Sequence, residues 1–217
     1  KSFKRMKKIK FHSLLLMSII VLSGCKDVSN QSDAPVTPTK ITIKDQRFVD
    51  NFGRQVILNG INVVSKSKEE GYIFQGGPEV YANLKKMGFN SLRFIIIWDG
   101  LEPEPGEYSE EYLMEIDKRI KWAGENGLFV ILDMHQDLFS VNYADGAPDW
   151  ATLDEDNPHV TGDVWSDAYM MSPAVQIAFD NFWANKKAPD GVGLQDHFAN
   201  LWRHVALRYA NNPTVIG

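Results

Sequence analysis

The chain has 217 residues, a formal net charge of −5 and an isoelectric point near 5.5. Beyond its first residues it carries no basic patch, which excludes nucleic acid as a partner. Cys25 is its one cysteine, so an intrachain disulfide is excluded as well.

From Met6 the chain reads Met6-Lys7-Lys8-Ile9-Lys10, followed by an apolar run from Leu14 to Leu22 and then Ser23-Gly24-Cys25. A basic segment, a short apolar core and small residues are the layout of a secretory signal. The apolar core is too short for a membrane span, which needs roughly 20 residues. The tetrad Leu22-Ser23-Gly24-Cys25 resembles the bacterial lipobox, in which cleavage leaves the cysteine as a lipidated N-terminus. Residues 1–25 are therefore expected to be a lipoprotein signal, with residues 1–5 an upstream read-through before Met6. The expected location is the bacterial cell envelope, exported and held to a membrane by the lipid on Cys25. Residues 26–40 are polar and rich in Ser, Asp, Pro and Thr, with too little apolar surface to fold, and read as a flexible tether.

Residues 41–217 read as globular. Arg47–Asp50 and Arg54–Leu58 flank the turn signal Asn51-Phe52-Gly53, and the second arm is expected to run on through Val64. Gly76-Gly77-Pro78 opens a helix with an apolar stripe of Val80, Tyr81, Leu84 and Met87, stopped by Gly88. Ser91 to Trp98 reads as a buried strand. Ser109 then caps a helix on which Leu113, Ile116, Ile120 and Ala123 recur at helical spacing, closed by Gly127. The next strand starts at once, and strand spacings of about 35 residues match repeated βα units of a parallel sheet.

That strand is the most informative stretch of the chain. The apolar residues Leu128-Phe129-Val130-Ile131-Leu132 break into Asp133-Met134-His135-Gln136-Asp137. An unbroken apolar run is the mark of a strand covered on both faces, and parallel α/β folds gather their chemistry at the C-terminal strand edge. From Leu138 to about Leu194 no long periodic helix is expected, and a loop of this length is usually a lid or a binding loop. Phe198, Leu201, Trp202, Val205 and Tyr209 mark a last helix, and Thr214-Val215-Ile216-Gly217 opens another strand.

Several segments together resemble glycoside hydrolase family 5, and within it the endoglycoceramidase branch. They are Asn59-Gly60-Ile61-Asn62, Leu92-Arg93-Phe94, Glu104-Pro105-Gly106, Leu132 to Asp137, Asp145-Gly146-Ala147-Pro148, Phe179-Asp180-Asn181-Phe182-Trp183 and Gln195-Asp196-His197-Phe198. Arg93 and His135 belong to the wider family pattern. The resemblance implies a (β/α)8 TIM barrel, of which strands 1–3 and the start of strand 4 are present. It also implies retaining hydrolysis of a β-glycosidic bond by two carboxyl groups about 5–5.5 Å apart. The family places its acid/base in an Asn-Glu-Pro motif on strand four and its nucleophile on strand seven. Neither motif occurs in residues 1–217, so no catalytic carboxylate is assigned and residues 1–217 alone are expected to be inactive.

By the same resemblance, His135 and Asp137 hydrogen-bond the sugar beside the cleaved bond and Arg93 orients acidic groups. Lys66 contacts the same sugar, with Lys68 as its rival. Trp183 stacks on a sugar face or packs in the core, and Gln136 binds sugar or braces the loop. The expected partner is a glycolipid or oligosaccharide, with no cofactor and no metal. His197 and His204 lack the further ligands a zinc site needs, and Asp154-Glu155-Asp156 reads as a solvated loop face. Trp150 and Trp165 line a cleft or pack the long loop. Three functions are open: cleavage of glycosphingolipid into oligosaccharide and ceramide, another family-5 activity on β-glucan, mannan or a simple glycolipid, and glycan binding by a non-catalytic lipoprotein.

Overall fold

The computed structural model describes residues 40–217. The expected signal, Cys25 and the tether before Lys40 lie outside the described residues. The first elements are strands β1 (Thr42–Lys44) and β2 (Arg47–Val49), an antiparallel hairpin in which Thr42 faces Val49 and Lys44 faces Arg47. Asp45 and Gln46 form its two-residue turn with φ of 49° and 61°, the left-handed pair that such tight hairpins require. The hairpin thus lies one arm earlier than the expected pairing of Arg47–Asp50 with Arg54–Leu58. The Asn51-Phe52-Gly53 turn does form, because Asp50 Oδ1 accepts from the backbone N–H groups of Phe52 and Arg54. Its second arm pairs only at Gln55, a single bridge to Val49, since the exposed residues around it bury no face that would fix a longer register.

Three parallel strands follow in the order β3 (Gly60–Val63), β4 (Ser91–Ile97) and β5 (Phe129–His135). Their connections carry helices α1 (Pro78–Lys86), α2 (Trp98–Leu101) and α3 (Glu110–Glu125). The register sets Asn62 beside Arg93 and Arg93 beside Ile131, with Ile97 beside His135 at the far edge. Alternation then divides the sheet into two faces. Leu92, Ile96 and Val130 point into the helix layer and are fully buried, each contributing about 1.5–3 kcal/mol of apolar burial. Arg93, Ile131, Asp133 and His135 point the other way, towards what is the interior of a barrel.

The helices follow their apolar stripes. In α3 the hydroxyl of Ser109 accepts from Tyr112 N at 3.2 Å, and Leu113, Ile116, Ile120 and Ala123 are all buried. In α1 the stripe is shorter than expected: Tyr81 is buried, but Met87 lies past the last turn and is 72% exposed. Trp98 belongs to α2, not to the preceding strand.

The segment after β5 is more ordered than its sequence suggests. It contains α4 (Ala168–Met171) and the three-turn α5 (Pro173–Trp183), in place of an unbroken irregular loop. The hydroxyl of Ser172 caps α5 through Val175 N, with Pro173 in the first turn. Its buried face is Ala174, Val175, Ala178 and Asn181, and with two alanines and an asparagine among the four the helical period is weak. Helix α6 (Leu194–Tyr209) returns along α3, where Arg208 and Tyr209 both donate to Asp117. Past α6, Thr214 to Gly217 runs parallel to β5: Val130 N donates to Thr214 O at 2.7 Å and Leu132 N to Gly217 O at 2.8 Å. The described residues thus hold three βα units and the opening of a fourth strand.

Candidate active site

The polar side chains of the candidate site gather at and beyond the C-terminal ends of β3 and β5, with Arg93 and Asp133 reaching them from within the sheet. Lys66 follows β3, His135 ends β5, and Asp137 stands two residues beyond it. Asp137 and Asp145 exchange backbone hydrogen bonds of 3.0 and 3.3 Å, which folds the start of the long connection back over the strand edge. Gly146 makes this fold possible. Its φ is 127°, and a Cβ there would stand 2.5 Å from Phe139 O and 2.5 Å from Gln136 Cβ. Gln136 braces the same loop by accepting from Phe139 N at 2.6 Å.

Lys66 binds Asp137 Oδ2 directly and lies 3.6 Å from Asp145 Oδ2. Burial works against the ammonium, but the hydrogen bond to Asp137 and the charges of both aspartates hold its pKa above 10.5. Burial pushes the carboxyl of Asp145 up, opposed by Lys66 and reinforced by the charge of Asp137. Arg93 forms an ion pair with Asp133 at 2.8 Å, and Asp133 also pairs with His135 Nδ1 at 3.2 Å. In the neutral ring, a proton on Nδ1 facing Asp133 leaves a lone pair on Nε2. Nε2 lies 3.7 Å from Asp137 Oδ2 and has no hydrogen-bond partner. Oδ1 of Asp145 is likewise buried and unpartnered. Two such atoms leave the hydrogen bonding of the cluster incomplete.

His135, Asp137 and Asp145 bring one ligand atom each within 4.8 Å of one another. Three such groups resemble a metal site, but the ammonium of Lys66 already supplies the cation between the two aspartates.

The remaining candidates fall elsewhere. Trp183 is 70% exposed, so it is not a core aromatic, and it stands on the rim of a cavity of about 240 Å³. Trp98, Phe139, Phe179, Phe182 and Phe198 wall this cavity beside His135. Trp150 packs the long connection by donating its indole N–H to Glu102 O at 3.2 Å, whereas Trp165 is 55% exposed. Glu155 pairs with Lys186 and Asn181, and Tyr143 donates to Asp154. His204 stacks at 4.5 Å on Tyr108.

Sequence reasoning missed several groups. Asp133 and Asp145 stood inside quoted motifs, and only their partners give them a role. Glu102 is fully buried and accepts from Trp98 Nε1, Gly106 N and His197 Nδ1, each at 2.8 Å. His197 in turn meets Asp190 at 3.2 Å. A carboxylate at the end of α2 paired with a histidine 95 residues later leaves no local trace.

Parallel βα units with polar side chains gathered near the strand ends are the architecture of a (β/α)8 barrel, whose active sites lie on that face. The chain belongs to the cellulase family, glycosyl hydrolase family 5, whose description it matches over residues 49–217. It is 32% identical to an endoglycoceramidase of Cyanea nozakii over 201 residues, covering 79% of this chain and 39% of that protein. Endoglycoceramidase I of Rhodococcus hoagii is 30% identical, with 84% and 37% covered. The structure superposes on endo-glycoceramidase II from Rhodococcus sp. in its ganglioside GM3 complex with a TM-score of 0.69 and 36% identity, covering 77% of this chain and 40% of that one. The chain therefore spans about two fifths of the length of these relatives.

Proposed function

We propose that the whole protein is a retaining endo-β-glycosidase that cleaves the bond between oligosaccharide and ceramide in glycosphingolipids. The observation that carries this reading is the Lys66–Asp137–Asp145 cluster, with its two unpartnered buried atoms, in a chain whose relatives are endoglycoceramidases. A sugar ring offers hydroxyls that both donate and accept. Asp145 Oδ1 and His135 Nε2 would each take a hydroxyl proton, while Lys66 would donate to a hydroxyl oxygen. Asp137 accepts from the same sugar with the oxygen that Lys66 does not hold. Arg93 acts through Asp133, fixing the ring of His135. Trp183, on the rim, offers a flat face to a pyranose. We assign both catalytic carboxyl groups to strands four and seven of the whole barrel and none to residues 1–217. One protonates the departing ceramide oxygen, the other forms the glycosyl-enzyme, and water resolves it.

The domain plan of this proposal is a lipoprotein signal over 1–25, a tether over 26–40 and the start of the catalytic barrel over 41–217. The lipid on Cys25 holds the barrel beside a bacterial membrane, and a glycolipid substrate presents its bond at a surface of the same kind. The test is product analysis with the purified full-length protein. Lactosylceramide should yield intact disaccharide and ceramide, far faster than cellulose or mannan is depolymerised. A polysaccharide preference would move the assignment to another activity of family 5.

A further inference from the structure

Helix α2 starts directly at the end of β4, and its second residue, Asp99, ties together the loops on either side of it. Its Oδ2 accepts a 2.6 Å hydrogen bond from the Tyr72 hydroxyl and lies 2.8 Å from Lys68 Nζ. Both partners belong to the connection after β3 that also carries Lys66. The backbone N–H of Asp99 donates the other way, to Gly146 O at 2.9 Å, next to Asp145 in the loop after β5. One residue thus spans the two segments whose side chains meet as Lys66, Asp137 and Asp145.

The junction is shielded from water, with Asp99 7% exposed and Tyr72 5%, which strengthens the bond between them. Burial and the hydrogen bond to Asp99 hold the Tyr72 phenol far above its ordinary range, the charge of Asp145 adding to the effect, so at neutral pH Tyr72 is the donor. The loop bends to make this contact. Gly71 and Tyr72 both take a left-handed φ, 63° and 58°, and for an aromatic residue that backbone is strained. Gly100 leaves room for the ring, since a Cβ there would stand 3.0 Å from Tyr72 Cδ2. A strained backbone persists only where its surroundings over-determine it, and here the buried carboxylate does so. The side chain of Lys66 is 40% exposed, so where its backbone stands decides whether its ammonium reaches both aspartates.

We propose that Asp99 is a positioning residue: it sets the Lys66 loop against the Gly146 turn, so that one ammonium reaches both Asp137 and Asp145. The inference rests on the glycosidase reading above and adds to it the residue that assembles the cluster without touching the substrate.

The experiment uses the full-length protein and lactosylceramide. Asp99→Asn keeps the shape of the side chain but loses the charge that Lys68 and Tyr72 meet, and should lower kcat/KM about tenfold. Tyr72→Phe removes only the donor hydroxyl and should act in the same direction, which carries the test if Asp99→Asn does not fold. A residue that acts through Lys66 has nothing to position once Lys66 is gone. In a Lys66→Met background either substitution should therefore cost about twofold at most. A loss of similar size in both backgrounds, or no loss in the first, overturns the proposal. Should the unaltered protein release no sugar, the glycosidase reading fails, and a crystal structure of Asp99→Asn or Tyr72→Phe decides the positioning by itself. Lys66 drawn away from Asp145 supports it, and Lys66 still between both aspartates overturns it.

Discussion

Replacing Lys66 with Met removes the cation between two aspartates while keeping most of the side-chain volume. A unit charge pair at about 4 Å is worth about 4 kcal/mol at an effective dielectric of about 20. Lys66 Nζ bonds Asp137 and lies 3.6 Å from Asp145, but its side chain is 40% exposed, and solvent screens much of that attraction. The net cost of Lys66→Met at neutral pH is therefore about 2 kcal/mol, expressed mainly as repulsion between the two carboxylates that remain. Its pH dependence follows from Asp145. Burial already raises that carboxyl above the ordinary aspartate range, and losing Lys66 raises it further. A carboxyl with a raised folded pKa destabilises the fold above that pKa. The penalty is thus complete at neutral pH, fades as pH falls through the folded value, and is gone below the unfolded one. Urea unfolding of the full-length protein at neutral pH and at about pH 4 reads this directly. Adding Asp145→Asn should recover most of the loss at neutral pH. The same loss at both pH values, or no recovery in the double variant, would refute the electrostatic account of the cluster.

Asp137→Ala in the full-length protein should lower kcat/KM for lactosylceramide by roughly ten- to more than a hundredfold, since a charged hydrogen bond is worth about 1.5–3 kcal/mol. Kinetics close to the unaltered enzyme would remove Asp137 from the sugar site. Glu102→Leu strips the acceptor from Trp98, Gly106 and His197 and should cost about 3–5 kcal/mol in chemical denaturation, whereas a loss below about 1 kcal/mol would mean these donors find other partners. Cys25→Ala should leave an unprocessed precursor that takes up no fatty-acid label and leaves the membrane fraction. An unlabelled parent protein would end the anchoring proposal.

The architecture was legible because its signals are local. The apolar runs of β4 and β5, the Ser109 cap and the stripe of α3 each sit within one window of sequence, and all formed within a residue of the expected bounds. What escaped was set by tertiary context. The β1–β2 turn uses Asp45-Gln46, which lacks the Asn-Gly or Asp-Gly signature of a tight hairpin. Helix α5 hides its period because Asn181, which donates to Leu153 O at 2.6 Å, stands where an apolar residue would be read. At the site, the strand-end run pointed to His135, Gln136 and Asp137. The anchoring of Asp137 by Lys66 71 residues upstream and the buried oxygen of Asp145 emerge only when the loop folds back at Gly146, where Gln136 makes the bracing contact that was one of its two readings.

The most direct test of the central claim is a crystal structure of the full-length protein with lactose or a lactosyl inhibitor bound. The account predicts a sugar whose hydroxyls lie within hydrogen-bond distance of Asp137, Lys66 and the now unpartnered atoms of Asp145 and His135. A sugar bound elsewhere on the barrel, with those two atoms still without partners, would contradict it.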